Sequence, residues 1–169
     1  MDCTQAIRAR RSVRKFKPGQ TIPKAEVEAM LEAAMMAPSA CNCRPWEFFV
    51  VENPEVKQKL KNAHPYAGML ENASLAIVVC ARPEDQASVC EGYWPLDCGA
   101  AVENLLIQAA ALGYGACWCG CWPSMERLPP IQDILNTQSI PVALVSVGVP
   151  DEEPAPQGFY EAEKVTWLV

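Results

Sequence analysis

The stretch that decides the fold is residues 97–112, DCGAAVENLLIQAAAL, which is apolar on nearly every side and is followed by Gly113. Small and aliphatic residues over sixteen positions, closed by a glycine, predict a helix. A helix that lacks a polar face is buried in a core or between subunits. The small side chains would also permit the close approach of a partner helix.

Strands are predicted on both sides of this helix. Residues 75–81 are a continuous apolar run, as expected of a strand that is buried on both faces. Residues 48–51, 116–121 and 142–149 are further apolar or β-forming runs, and we predict a strand in each. Shorter helices are predicted over residues 3–10, 23–38 and 55–63. Asp2 and Gln5 are spaced as a capping box for the first of these helices. The expected fold is α+β, with a mixed sheet flanked by helices.

The last twenty residues differ from the rest of the chain. Pro150, Pro154 and Pro156 disfavour regular structure, yet the sequence then ends in Val-Thr-Trp-Leu-Val at 165–169. Apolar residues in such a segment need a surface to cover. We therefore expect residues 150–169 to form an extended arm that packs on a second subunit.

Composition limits the class of protein. The chain has 169 residues, half of them hydrophobic and a fifth charged, which predicts one folded domain over residues 1–169. No apolar run is long enough for a membrane span, and the first residues do not resemble a secretory signal, so we expect a cytoplasmic protein. The net charge of −6 argues against a nucleic-acid partner.

Basic residues are concentrated near the start of the chain. Six of the fourteen lie within ten positions, namely Arg8, Arg10, Arg11, Arg14, Lys15 and Lys17. Guanidinium groups bind phosphate oxygens in pairs of hydrogen bonds, and Ser12 adds a neutral donor. The segment RRSVRKF at 10–16 therefore predicts an anion site, although a solvated basic segment or an address signal has the same composition.

Two further motifs could contact a ligand. Residues 37–46, APSACNCRPW, form a loop with two prolines in which the Asn42 amide offers donor and acceptor edges to a ring. An Asx-turn is the alternative role for this asparagine. Residues 112–123, LGYGACWCGCWP, bring glycines and three alternating cysteines together.

The nine cysteines are interpreted as thiols rather than as disulfides or metal ligands. Their number is odd, and Cys80, Cys90 and Cys98 lie among apolar residues, which suits small buried side chains. Cys117, Cys119 and Cys121 alternate, so a strand would align them on one face without the paired spacing of structural zinc sites. We predict no metal site.

Together these segments resemble the nitroreductase family. The pair of motifs Arg-Arg-Ser-x-Arg-x-Phe and Pro-Ser-x-x-Asn-x-x-Pro-Trp carries the resemblance, supported by Gly-x-Gly-x-Cys-Trp and by VGVPDEEP at 147–154. The resemblance implies an FMN-binding homodimer with swapped C-terminal arms. It also implies a phosphate grip by Arg10, Arg11 and Ser12, with Arg14 near the flavin pyrimidine.

The same resemblance assigns the remaining contacts. It implies that the other subunit contributes a wall against the flavin, and that two backbone amides approach flavin N5. The wall residues are Pro38, Ser39, Ala40 and Asn42, and the amides are those of Gly120 and Cys121. No side chain stands out as a catalytic acid or base. The tail at 157–159, Gln-Gly-Phe, lacks the Lys or Arg that often completes the phosphate site in this family.

The implied function is transfer of hydride from NAD(P)H through flavin N5 to a small acceptor such as a nitroaromatic, a quinone or an enone. The sequence leaves the acceptor and the preference between NADH and NADPH open. It also leaves two alternatives, a different reductive flavin reaction such as dehalogenation, and a non-catalytic flavin-binding or thiol redox-sensing protein.

Overall fold

The computed structural model describes residues 1–155 and 157–168; Pro156 and Val169, which the sequence assigns to the arm, lie outside the described residues. The α-helices of the described residues are α1 (Cys3–Ala9), α2 (Lys24–Met35), α3 (Pro54–Ala63), α4 (Trp94–Ala111) and α5 (Leu128–Leu135). The strands are β1 (Trp46–Val51), β2 (Leu75–Ala81), β3 (Gly115–Gly120) and β4 (Ile140–Gly148).

The four strands form one sheet in the order β1-β2-β4-β3. Every pair of neighbouring strands is antiparallel, whereas the sequence analysis expected a mixed sheet. The one parallel contact among the described residues is an isolated bridge between Ser12 and Ala116, at the outer edge of β3. The α+β class is confirmed, and β1 and β3 are the two edge strands.

Two hydrophobic layers cover the sheet. Helices α2 and α4 pack on one face, where Leu105 and Val102 are fully buried. Helices α3 and α5 lie on the other face, where Leu60 and Ile131 are fully buried. All seven residues of β2 are buried, as predicted from its continuous apolar run. The sheet is therefore a central layer between two helical layers.

Helix ends follow the capping chemistry of the sequence where a side chain supplies it. The Gln5 backbone N–H donates to Asp2 Oδ1 at 2.8 Å, and the Asp2 N–H donates to Gln5 Oε1 at 2.9 Å, which confirms the predicted capping box. Helix α4 begins three residues before the predicted start, at Trp94, because Pro95 fits the first turn of a helix.

Helix α5 was not predicted. Pro129 and Pro130 suggest a break in regular structure, but both lie in its first turn, where the backbone N–H groups have no intrahelical acceptor. Leu128 and Ile131 anchor this helix in the core.

The C-terminal segment contacts its own chain at Asp151 and Glu152, whereas residues 157–160 and 162–168 are exposed. The described residues beyond Pro150 are irregular except for one turn at Ala162–Lys164. Several apolar side chains stay largely in solvent: Phe159, Tyr160, Trp167 and Leu168, the last 94% exposed. Within the described residues, no helix has the length and hydropathy needed to cross a membrane.

Candidate cofactor site

The basic N-terminal segment lies along the outer edge of β3. The Val13 N–H donates to the Ala116 carbonyl at 2.9 Å, beside the parallel bridge of Ser12 to Ala116. This approach requires the glycine at 115, because a Cβ there would lie 2.7 Å from Val13 Cγ1. The N-terminal segment can lie here because it and β3 are both extended, and because Gly115 has no side chain at the point of contact.

The structure separates the predicted phosphate grip into two sides. Arg10 and Arg11 line a cavity of about 420 Å³. Its other walls include Arg8, Leu106, Tyr114, Pro150, Glu152 and Glu153. Ser12 does not line this cavity and lies instead near Cys117, whose pKa is lowered by both Ser12 and the charge of Arg14. Arg10 is the residue that caps the end of α1, and the extended stretch begins after it. Successive side chains of an extended segment point in opposite directions, which explains why Arg11 and Val13 line the cavity whereas Ser12 does not.

The charges of this segment are only partly neutralised. Arg10 Nε pairs with Glu103 Oε1 at 3.1 Å. Arg11 Nη1 donates to the Arg10 carbonyl at 2.6 Å, and Arg14 Nη1 donates to the Ser12 carbonyl at 3.4 Å. Among the described residues, neither Arg11 nor Arg14 pairs with a carboxylate. Both guanidinium groups therefore remain available to an anion.

Glu152 ties the start of the C-terminal segment to the basic strip. Its Oε1 accepts the backbone N–H of Arg14 at 2.5 Å and that of Lys15 at 3.1 Å. The hydrogen bond from the Arg14 N–H is the main cause that holds the pKa of Glu152 below its usual value of 4.5. The hydrogen bond from Lys15 and the charges of Lys15 and Arg14 act in the same direction. The carboxylate is thus ionised wherever the fold is intact near neutral pH.

The loop at 38–44 is held in an unusual backbone conformation. Cys41, Asn42 and Arg44 have φ angles of 52°, 53° and 54°. The Ala40 N–H donates to Asp97 Oδ1 at 3.0 Å, and the Arg44 N–H donates to Ser39 Oγ at 2.9 Å. Non-glycine residues in this region cost about 1–3 kcal/mol each and persist only where their surroundings hold them.

The side chains of this loop face solvent. Pro38 and Asn42 are exposed, while Ser39 and Ala40 are half-buried. The loop meets α4 at Asp97, whereas Arg10 meets it at Glu103, about 9 Å further along the helix axis at 1.5 Å per residue. No residue of the loop at 38–44 lines the cavity of Arg10 and Arg11 in the same chain.

The far end of β3 presents one backbone N–H to the outer edge. The Cys121 N–H donates to the Val142 carbonyl at 3.0 Å, so the alternation of an antiparallel pair turns the backbone groups of Gly120 away from β4. Gly120 and Ala116 are four residues apart on this edge, about 14 Å at 3.4 Å per residue. Of the two predicted amides, that of Gly120 faces outward, whereas that of Cys121 donates to Val142 within this chain.

Two side chains that the sequence analysis did not select hold the Gly120 carbonyl. His64 Nε2 lies 2.9 Å from this oxygen, and Arg127 Nη1 lies 2.8 Å from it. The Tyr66 N–H donates to His64 Nδ1 at 3.2 Å, so Nδ1 is the acceptor and Nε2 carries the proton that is donated to Gly120. His64 is fully buried, and no local motif marks it because its partner is 56 positions away.

The three alternating cysteines are buried on one face of β3 and just beyond it, as predicted. Cys119 Sγ donates to the Tyr66 carbonyl at 3.3 Å. The neighbouring Cys119 thiol lowers the pKa of Cys117, helped by Arg14 and Ser12 and opposed by burial. No group of three or more His, Cys, Asp or Glu side chains within the described ranges is placed to hold a metal ion.

Comparison with known proteins gives the same assignment along the chain. The model of the nitroreductase family matches residues 7–64 and 61–149. A protein of Archaeoglobus fulgidus assigned as an NADH dehydrogenase/NAD(P)H nitroreductase is 40% identical over 164 residues, covering 96% of this chain and 91% of that protein.

Solved structures are similar over nearly the full length. A protein of Clostridium acetobutylicum assigned as an NADH oxidase superimposes with a TM-score of 0.89 at 38% identity, covering 95% of this chain and 97% of the other. A protein of Desulfovibrio desulfuricans assigned as a nitroreductase and solved in complex with FMN superimposes with a TM-score of 0.84 at 26% identity, covering 100% and 98%.

Proposed function

The chain belongs to the nitroreductase family, a family of oxidoreductases, and from this premise we propose that it is an FMN-dependent enzyme that uses NAD(P)H. The observation that carries the proposal is the edge of β3. A basic segment lies against one end of this edge, and the outward N–H of Gly120 lies at the other end. An elongated ligand with an anionic end and a hydrogen-bonding ring matches this arrangement.

The residues of the site fit FMN. The guanidinium groups of Arg10 and Arg11 share a cavity and would hold the phosphate, and Arg11 forms no ion pair among the described residues, although Glu152 and Glu153 also line the cavity. Ser12 and Arg14 lie on the other side of the segment and are candidates for contacts with the remainder of the cofactor. A mononucleotide is favoured over FAD because the sequence has no Gly-x-Gly-x-x-Gly fingerprint for a pyrophosphate.

When bound, FMN supplies the two-electron chemistry by which hydride from NAD(P)H passes through N5 to an acceptor. The chain supplies position and charge. Arg14 would stabilise negative charge on the pyrimidine side, and the Gly120 N–H would orient the ring from a backbone that His64 and Arg127 hold in place. We propose no side-chain acid or base, and candidate acceptors are nitroaromatics, quinones and enones.

We further propose a homodimer in which residues 1–169 form one domain and residues 150–169 an arm on the partner. Three observations support it. The wall loop at 38–42 does not line the cavity of its own chain. Leu96 at the start of α4 is 70% exposed, and the apolar side chains of the tail are exposed as well. A second subunit would cover these surfaces and bring its loop to the cofactor.

The test is flavin identification followed by turnover. We expect protein denatured after purification to release FMN, identified by mass, and FMN-saturated protein to oxidise NADH or NADPH when a quinone or a nitroaromatic is present. Release of FAD would contradict the cofactor assignment. Stable FMN binding without oxidation of either nucleotide would favour a non-catalytic flavin carrier.

A matched pair of variants links turnover to the site. Arg14→Ala should lower kcat at saturating FMN at least fivefold, because it removes the positive charge proposed for the pyrimidine side. Lys17→Ala removes a charge from the same basic segment at an exposed position and should leave kcat unchanged. Equal kcat values for both variants would exclude this role for Arg14.

A further inference from the structure

Two thiols meet where the loop at 38–44 contacts the loop that leads into α4. Cys43 Sγ and Cys90 Sγ are 3.6 Å apart, although the residues are 47 positions apart in sequence. Cys43 is half-buried and Cys90 is buried. Nothing in the proposed hydride transfer uses either thiol.

The two thiols have different surroundings. Cys90 Sγ donates to the Ala87 carbonyl at 3.2 Å, and Cys43 Sγ accepts the Ala87 N–H at 3.3 Å. Burial, followed by hydrogen bonds with Cys43 and Cys41, raises the pKa of Cys90 to about 11. Because Cys43 is the more exposed of the two thiols, it is the one that an external reagent can reach first, and Cys90 is the buried thiol beside it.

We propose that Cys43 and Cys90 form a redox-active dithiol that exchanges with small soluble disulfides of the glutathione class and closes to an intramolecular disulfide. A bond requires the sulfurs to approach from 3.6 Å to about 2.05 Å, a movement within reach of side-chain rotation in two loops. This inference goes beyond the proposed function and does not depend on it.

The exchange is balanced in two steps. The Cys43 thiolate attacks one sulfur of the small disulfide, so a Cys43–S–S–R bond forms, the S–S bond of the reagent breaks and one RS⁻ leaves. The Cys90 thiolate then attacks Cys43 Sγ and displaces the second RS⁻. The two protons lost by the cysteines are taken up by the two leaving thiolates. The protein loses two electrons and the small disulfide gains two.

The location gives the bond a structural consequence. Cys43 directly follows Asn42, which has a left-handed backbone, and Cys90 lies four residues before the first residue of α4. A disulfide would therefore join the loop to the segment that precedes the central helix. Oxidation would fix a loop whose conformation is now held by the hydrogen bonds of Ala40 and Arg44.

The experiment treats the protein as purified, with any bound cofactor left in place, with oxidised glutathione, then denatures it and alkylates the thiols with N-ethylmaleimide. We expect seven of the nine cysteines to be alkylated, a peptide that links Cys43 to Cys90, and return to nine after dithiothreitol. Nine alkylated thiols after oxidation, or a link between any other pair, including Cys41 with Cys90, would overturn the proposal.

Serine variants separate the two steps. Cys90→Ser should accumulate a glutathione adduct on Cys43, because the first step remains and the second is lost. Cys43→Ser should form neither the adduct nor the link. Cys3→Ser, which changes an exposed thiol in α1, should still form the link. If the first two variants do not fold, the peptide map of the wild-type protein alone decides. These readouts do not use the flavin, so their failure is distinguishable from failure of the proposed function.

Discussion

Arg11 lines a cavity together with Arg8 and Arg10, and no carboxylate pairs with its guanidinium among the described side chains. A hydrogen bond to a charged group contributes about 1.5–3 kcal/mol, which corresponds to about tenfold or more in affinity. We therefore expect Arg11→Ala to raise the FMN dissociation constant more than tenfold. Riboflavin, which lacks the phosphate, should bind almost as before.

Fluorescence titration of both flavins into wild type and variant measures the two effects. Lys17→Ala is the control for the loss of one positive charge from the same segment, and we expect it to change FMN affinity less than twofold. Equal losses of FMN and riboflavin affinity in Arg11→Ala would mean that Arg11 supports the fold and that the phosphate is held elsewhere.

Glu152 makes stability depend on pH in acid. Its pKa is lower in the folded protein than the usual 4.5, so the unfolded chain binds more protons as the pH falls through this range. The stability that the carboxylate contributes is complete above about pH 5 and is lost progressively below it. Glu152→Gln should therefore lower the Tm of the apoprotein at pH 7 and lower it less at pH 4.

The neighbouring residue supplies the comparison. Glu153→Gln changes an exposed carboxylate one position along the chain and should leave the Tm close to wild type at both pH values. A constant Tm difference between Glu152→Gln and wild type from pH 7 to pH 4 would show that the carboxylate does not act through its charge.

At the residue scale, motif spacing selected Arg10, Arg11 and Ser12 but could not predict which way each side chain points. That direction depends on how the segment pairs with Ala116, which is more than 100 positions away. The roles of His64 and Arg127 were also unpredictable from motifs, because both side chains bind a carbonyl of β3 that is distant in sequence from His64 and belongs to no motif of Arg127. Residue types were readable from the sequence, whereas the contacts made across the sheet were not.

At the element scale, the glycines of β3 can be tested against one another. A Cβ at 115 would lie 2.7 Å from Val13 Cγ1 and 2.8 Å from Val13 Cβ, whereas one at 120 meets nothing within 4 Å. Overpacking of this kind costs about 1–3 kcal/mol. Gly115→Ala should lower the free energy of unfolding of the apoprotein, measured by urea denaturation, by about 1–3 kcal/mol and so lower the urea midpoint, and Gly120→Ala should lower both much less. Similar midpoints for the two variants would mean that the N-terminal segment around Val13 moves away from a Cβ at 115 without loss of stability.

A helix or strand was predictable where the length of a hydrophobic run equals the length of the element. The bounds of β2 agree with the run at 75–81, because a strand buried on both faces has no polar residue to interrupt it. Helix α5 was missed because its prolines resemble a break, although they occupy the first turn. The pairing of the strands, antiparallel throughout instead of mixed, could not be read from the runs themselves, since register and direction depend on long-range contacts.

At the scale of the whole molecule, the exposed surfaces form a consistent set. The tail, the start of α4 and the wall loop each present groups that their own chain leaves in solvent. Large exposed apolar side chains in this number are unusual on a monomer and indicate an interaction surface. The sequence pointed to the tail and to α4 by composition, but the separation of the loop from the cavity required coordinates.

Removal of the tail tests the dimer and the cofactor site together. Deleting residues 157–169 takes away Phe159, Tyr160, Trp167 and Leu168, each more than 70% exposed in the single chain, so the domain itself should keep its secondary structure by circular dichroism. If these side chains cover the partner, the truncated protein should be monomeric by sedimentation and should lose FMN, because the partner loop no longer completes the site. Trp167→Ala and Leu168→Ala together should weaken the dimer in the same direction, whereas Glu163→Ala, an exposed polar change in the same segment, should not. A truncated protein that remains dimeric and retains FMN would contradict the arm, and a folded monomer that retains FMN would contradict the proposal that two subunits build the site.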